Sequence, residues 1–172
     1  MPLIVSNCSN NYGPYQFPEK LIPLATINAL SGMPIPVYGS GANVRDWLHV
    51  DDHARGLLTL LTRGRPGENY NFGGESERAN LQVVEAVCDI LDEINPAERP
   101  RRELISFVED RPAHDLRYAM DTSKVRGELG WAPSRPFEEG MRDTVAWYVA
   151  HREWWHPIRE RVYGGMRLGL GR

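Results

Sequence analysis

Short apolar runs alternate with longer stretches of helical period along this chain, and that alternation limits the folds open to it. Leu3-Ile4-Val5, Ile35 to Tyr38, Asp46 to Val50, Asn69 to Phe72 and Leu104 to Val108 read as strands. Between and after them, five stretches read as helices. These are Pro18 to Leu30, the run from Asp51-Asp52 through Leu61, the run that starts at Asn80, Asp121 to Leu129, and Phe137 to Val149. The stretch after Asn80 carries Leu81, Val84, Val87, Cys88 and Leu91 on one face. Strands that alternate with helices predict an α/β architecture with some parallel pairing. No internal repeat is visible.

Punctuation residues sharpen these expectations. Pro23 is expected to kink or break the first helix, and Asp51 or Asp52 to cap the second. Gly39-Ser40-Gly41 reads as a tight turn, and Gly130 as a helix stop. The polar stretch Ser6 to Pro14 reads as a loop, and Tyr163 to Arg172, rich in Gly and Arg, as a fraying end. Leu3-Ile4-Val5 is an unbroken apolar run, as in a strand covered on both faces. Such a strand needs neighbours on both edges. It therefore lies at a sheet edge, or the chain is the back half of a longer fold.

The 172 residues are enough to bury about 70% of the unfolded surface. Twenty Lys+Arg against twenty-three Asp+Glu give a net charge of −3, which argues against a nucleic-acid partner. No apolar run approaches membrane-spanning length, and no secretory signal opens the chain. Two cysteines, Cys8 and Cys88, fit neither a disulfide scaffold nor a zinc motif, and suit a reducing cytoplasm. Only Lys20 and Lys124 are lysines, so amine chemistry has two candidates at most.

Several motifs invite chemical readings that their context weakens. Gly39-Ser40-Gly41-Ala42 starts like a dinucleotide fingerprint, but lacks the third glycine and leads into a strand rather than a helix. His49 and His53 have metal-ligand spacing but fall on a strand and a helix, so no metal is expected. Trp154-Trp155-His156 reads as a packing patch or a partner surface. No tyrosine is followed four residues later by lysine. What remains is a set of Asn and Arg residues in loops at strand ends: Asn10, Asn11, Arg45, Asn80 and Arg111. Strand-end loops on one face of an α/β sheet are where such folds bind ligands, and an Arg fork matches phosphate oxygens.

The motifs themselves carry a resemblance. Asn10 to Pro14 (Asn-x-Tyr-Gly-Pro), Arg45-Asp46-Trp47, Tyr70 to Gly73 and Leu129 to Pro133 are similar to motifs of many nucleotide-sugar epimerases, decarboxylases and dehydratases. The run Asn11 to Pro23 and the run Asp110 to Asp115 resemble the dTDP-glucose 4,6-dehydratases, a branch of the extended short-chain dehydrogenase/reductases. The resemblance covers residues 3 to about 155 and points to the C-terminal half of such an enzyme. Ala113 stands where that family usually has Gly, and Leu116 where it often has Arg.

The resemblance implies a Rossmann-type α/β fold, represented mostly by its smaller substrate-binding domain. Residues 1–17 would close the cofactor-domain sheet, 18–156 would bind the nucleotide sugar, and 157–172 would form a tail. It implies that Asn10 touches the substrate and Asn11 the NAD cofactor. Lys20 and Leu21 would lie along the nucleotide sugar, and Pro36, Val37 and Tyr38 would flank the base. Arg45 and Asn80 would hold the diphosphate, while Asp110, Arg111 and His114 would close over the nucleoside. The implied partner is dTDP-glucose, converted by the full-length family, as a homodimer, to the 4-keto-6-deoxy sugar. The family's acid/base groups and Tyr-x-x-x-Lys dyad lie upstream of the matched segment, so the chain alone is expected to be inactive. Two other functions are kept open: half of another nucleotide-sugar epimerase or decarboxylase, and a non-catalytic nucleotide-sugar-binding module.

Overall fold

The computed structural model describes residues 2–164. Eight strands and six α-helices follow in the order β1 Val5–Cys8, β2 Asn10–Tyr12, α1 Leu21–Leu30, β3 Ile35–Tyr38, β4 Val44–His49, α2 Val50–Arg63, β5 Asn69–Phe72, β6 Glu77–Ala79, α3 Asn80–Ile94, β7 Ile105–Val108, β8 Arg117–Tyr118, α4 Ser123–Leu129, α5 Phe137–Ala150 and α6 Arg152–Arg161 among the described residues. A 3-10 turn, Arg101–Leu104, precedes β7. The chain divides into two compact units.

Unit one comprises the chain up to Gly13, Asn43–Ala79 and Ala113–Gly140. Here β1 pairs in parallel with β5, and β4 pairs with β2 and β8 in parallel and with β6 antiparallel. Leu48, Leu60, Tyr70, Phe72, Val125, Leu129 and Trp131 form its core. Each such side chain contributes about 1.5–3 kcal/mol on burial. Two buried carboxylates organise the loops around that core. Asp52 accepts hydrogen bonds from the Ser134 and Arg135 amides (3.1 and 3.0 Å) and from Ser134 Oγ (3.0 Å). Trp131 Nε1 donates to the Asp52 carbonyl at 3.2 Å, so the Leu129–Pro133 motif is folded back onto α2. Asp46 accepts from the Gly74 and Ser76 amides at 2.9 and 2.8 Å. The loop comes so close that a Cβ at Gly74 would lie 1.7 Å from the Trp47 carbonyl oxygen, so only glycine fits.

Unit two comprises Pro14–Ala42, Asn80–Pro112 and the chain from Met141 onward. Its strands β3 and β7 pair in parallel, with Tyr38 opposite Val108. Helix α1 is apolar nearly all round and buried from Ile22 through Ala29, packed on α3. Helix α3 buries Val83, Val84, Val87, Cys88 and Leu91. Burial, with Asp92 and Asp89 adding to it, pushes the Cys88 thiol up to about 12, so it stays protonated.

The α/β class expected from the sequence is the observed one, with several corrections in detail. The first strand is Val5–Cys8 rather than Leu3 to Val5, and Val5, Ser6 and Asn7 are exposed instead of covered on both faces, because among the described residues β1 pairs with β5 alone. The stretch Ser6 to Pro14 is no simple loop: it contains β2, registered on Trp47–His49 and anchored by the buried Tyr12. Pro23 leaves α1 unbroken because it is the helix's third residue, where the amide has no intrahelical acceptor to lose. The cap of α2 is His49, whose Nδ1 accepts from the Asp51 amide at 3.3 Å, because Asp52 is drawn inward to the Ser134 loop. Tyr163, expected to fray, is instead buried just past α6, which runs to Arg161. Residues 165–172 of that expectation lie outside the described residues.

Asp46→Ala strands two partly buried amides at once. It is expected to destabilise the protein by about 3 kcal/mol, read from the midpoint of urea unfolding.

Candidate functional site

In unit two the parallel register brings the end of β3 beside the end of β7. The Gly39 amide donates to the Val108 carbonyl at 2.9 Å, and the Gly41 amide to the Tyr38 carbonyl at 3.0 Å. Gly39 has φ +56°, and a Cβ there would lie 2.9 Å from Asp110 Oδ2, so the turn needs glycine on both counts. Asp110 Oδ1 accepts from the Arg111 amide at 2.7 Å. The Arg111 guanidinium lies over the Tyr38 ring, 4.4 Å from its centre. The carboxyl ends of two parallel strands thus hold Tyr38, Asp110 and Arg111 together, where α/β sheets present ligand groups.

Along β3 the burial alternates: Ile35 and Val37 are 1% exposed, while Pro36 and Tyr38 are half-buried. Pro36 and Tyr38 therefore share one face. The Val37 side chain belongs to the core and not to that face. Asn80 is the first residue of α3, and the next amide, Leu81, donates to the Gly41 carbonyl at 3.0 Å, fastening the helix start to the turn. Lys20 is the N-cap of α1 and exposed, with Nζ 2.8 Å from Glu19 Oε1; Leu21 opens the helix, half-buried.

Unit one holds Asn10, Asn11, Arg45 and His114. Asn10 and Asn11 lie opposite Trp47 and Leu48 in the β2–β4 register, with Arg45 two positions earlier on β4. Arg45 is half-buried; Nη1 donates to the Val44 carbonyl at 2.7 Å and Nη2 to the Asp115 carbonyl at 2.8 Å. Asn43 Nδ2 reaches the same Asp115 oxygen at 3.2 Å, and the Val44 amide donates to the Leu116 carbonyl at 2.8 Å. Three residues of β4 and its approach thereby lash down the segment that carries His114. Asn43 was not picked out from the sequence; a short polar side chain just before a strand is its only local signal.

Asn11 is held at both ends: Nδ2 donates to the Ser9 carbonyl at 3.0 Å, and Oδ1 lies 2.8 Å from His53 Nδ1. His53, weighed in the sequence only as a metal ligand, instead fixes this asparagine. Burial lowers its pKa, which keeps the ring neutral. Its Nε2 is buried and has no hydrogen-bond partner among the described residues.

Many of the described arginines are ion-paired. Arg55, Arg78, Arg101, Arg102, Arg117 and Arg126 each pair with a carboxylate. Among the described residues, Arg45 meets carbonyls and Arg111 a ring face, and neither forms an ion pair. Unit one also has a cavity of about 400 Å³ along Gly74–Ser76 and Pro133–Glu138; it is lined by none of the expected site residues.

The model of the family described as GDP-mannose 4,6 dehydratase matches residues 1–144. The chain belongs to this family. It is 55% identical over 170 residues to a probable dTDP-glucose 4,6-dehydratase of Sinorhizobium fredii, a match that takes in 99% of this chain and 49% of the relative. It is 53% identical over 175 residues to a dTDP-glucose 4,6-dehydratase of Escherichia coli, with 99% and 48% covered. The crystal structure of a dTDP-glucose 4,6-dehydratase from Bacillus anthracis, in complex with NAD, superimposes with a TM-score of 0.83 at 48% identity, over 91% of this chain and 48% of that one. This family member thus spans about half the length of the curated relatives it matches. The resemblance and fold class expected from the sequence are borne out.

Ala113, in the segment with His114, has φ +53°, a left-handed conformation that costs an L residue about 1–2 kcal/mol. Ala113→Gly is expected to stabilise the protein by about 0.5–1 kcal/mol in urea unfolding, after the extra chain entropy of glycine is subtracted. His53 gives a pH prediction. Its folded pKa lies below the unfolded value of 6.5, so on acidification the unfolded chain takes up the proton first. Stability is expected to fall as pH drops below 6.5, and His53→Gln to flatten that slope in unfolding curves recorded at several pH values.

Proposed function

We propose that the chain binds a nucleoside diphosphate sugar, dTDP-glucose, and supplies the substrate-holding part of a dTDP-glucose 4,6-dehydratase. The observation that carries this reading is the placement of Arg45 on β4 and Arg111 just past β7, oriented by carbonyls and by a ring face, with no carboxylate partner among the described residues. A guanidinium without a protein counter-ion is a ready partner for phosphate oxygens. The names of the relatives point to the thymidine nucleotide. In this reading Arg45 and Asn80 take the diphosphate, and the Tyr38 ring and Pro36 flank the base, with Val37 contributing its main chain. Asp110, Arg111 and His114 border the nucleoside, while Asn10, Lys20 and Leu21 take the sugar side.

The cofactor proposed for the whole dehydratase is NAD, which supplies hydride transfer when bound. The residues here fit one contact to it, Asn11, pre-oriented by His53 and Ser9. They do not form a pyrophosphate cradle: the Gly39–Gly41 turn leads into β4 rather than into a helix N-terminus. No proton or hydride step is therefore assigned to these residues, and the 172-residue chain alone is proposed to be inactive. A cytoplasmic setting fits a nucleotide-sugar substrate and the protonated, buried Cys88. No helix among the described residues is long and apolar enough to cross a membrane.

Calorimetric titration with dTDP, UDP and GDP tests the proposal. dTDP is expected to bind most tightly, and Arg45→Ala and Arg111→Ala each to weaken it by about 10- to 100-fold, the scale of a charge-assisted contact. Absence of dTDP binding, or equal binding by both variants, would overturn it. Turnover of dTDP-glucose by the chain alone with added NAD would overturn the proposed inactivity.

A further inference from the structure

Three consecutive residues between β2 and α1 are held by four aromatic side chains from the C-terminal segment. The Tyr15 ring lies 4.5 Å from the ring of Trp147 on α5 and 5.4 Å from that of Trp154 on α6, and the two tryptophans are 5.3 Å apart. The Tyr148 hydroxyl donates to the Gln16 carbonyl at 2.7 Å. The Phe17 ring lies 5.8 Å from that of Tyr163. All of these residues belong to unit two. The four holding residues lie past the stretch that the family model matches.

Two features separate this contact from ordinary core packing. Tyr15 is 64% exposed, so it is not part of the core. It also has φ +62°, a left-handed conformation unfavourable for a bulky residue and kept only where the surroundings over-determine it. Phe17 leads directly into the start of α1: the Lys20 amide donates to the Phe17 carbonyl at 3.2 Å, and the Lys20 carbonyl accepts from the Leu24 amide at 2.9 Å. At the other end of the clamp, Tyr163 is buried within electrostatic reach of Glu19, Tyr38 and Arg111.

We infer that Tyr15, seated on Trp147 and Trp154, is a positioning residue that sets Lys20 and Leu21 for the nucleotide sugar, with α5 and α6 acting as an aromatic clamp on the loop. The inference rests on the nucleotide-sugar reading of Lys20 and Leu21. The clamp works through the loop backbone and need not touch ligand. The segment from Trp147 to Tyr163 thereby has a positioning role, although none of its side chains was among the expected ligand contacts.

The test uses the 172-residue chain, with dTDP-glucose titrated against wild type, Tyr15→Phe, Tyr15→Gly and Trp154→Ala. Tyr15→Phe keeps the ring and is expected to bind like wild type. Tyr15→Gly relieves the left-handed backbone yet removes the ring, and Trp154→Ala removes its seat; each is expected to weaken binding about fivefold, the scale of one aromatic pair. Loss in Tyr15→Gly with retention in Tyr15→Phe supports the clamp; wild-type affinity in Tyr15→Gly overturns it. Hydrogen exchange at the Lys20 amide decides the case if wild type binds no ligand, an outcome that defeats the functional reading by itself. Faster exchange there in Tyr15→Gly than in Tyr15→Phe, with β3 unchanged, upholds the clamp, and equal exchange overturns it.

Discussion

On β4 the side chains alternate, and two neighbours of opposite charge do opposite work. Asp46 turns inward and takes the amides of Gly74 and Ser76, which fixes the loop after β5. Arg45, on the other face, takes the Asp115 carbonyl and fixes the segment that carries His114. The same strand accepts β2, β6 and β8 as partners. Unit one therefore hangs on a six-residue strand whose period of two separates a structural anion from an available cation. The burial of Asp46 is tolerable only because its oxygens are hydrogen-bonded by amides that would otherwise be orphans themselves.

The arginines show how the fold sorts charge. Most of those described are spent on carboxylates at the surface, where an ion pair contributes little to stability. Arg45 and Arg111 are placed differently. Carbonyl oxygens orient one and a ring face orients the other, and neither interaction neutralises the charge. Orientation without neutralisation leaves a cation pre-organised for an anion, which lowers the cost of ordering when the anion arrives.

Three described non-glycine residues have left-handed backbones: Tyr15, Ala113 and Glu75, the last in the loop after β5. Tyr15 and Ala113 both lie within a few residues of expected ligand positions. In each case neighbouring contacts hold the conformation: aromatic rings for Tyr15, and for Ala113 the bonds from Asn43, Arg45 and Val44 that tie down Asp115 and Leu116.

Local signals in the sequence determined the elements with strong periodicity or clear punctuation. Strands β3 and β5 match residue for residue, α3 starts at Asn80, and α4 stops at Gly130 in a left-handed conformation. Short-range sterics and hydrophobic period are enough for these. The three- and two-residue strands β2, β6 and β8 were not legible, because so short a run has no period to read and exists only through its partner. The expected site residues were named from motifs, but their surroundings came from tertiary structure alone: Val37 turned to the core, Asn11 locked by His53, and Arg45 freed from any carboxylate among the described residues. Those outcomes depend on groups tens of residues apart, whose meeting is decided by register and packing, and no local pattern encodes that distance.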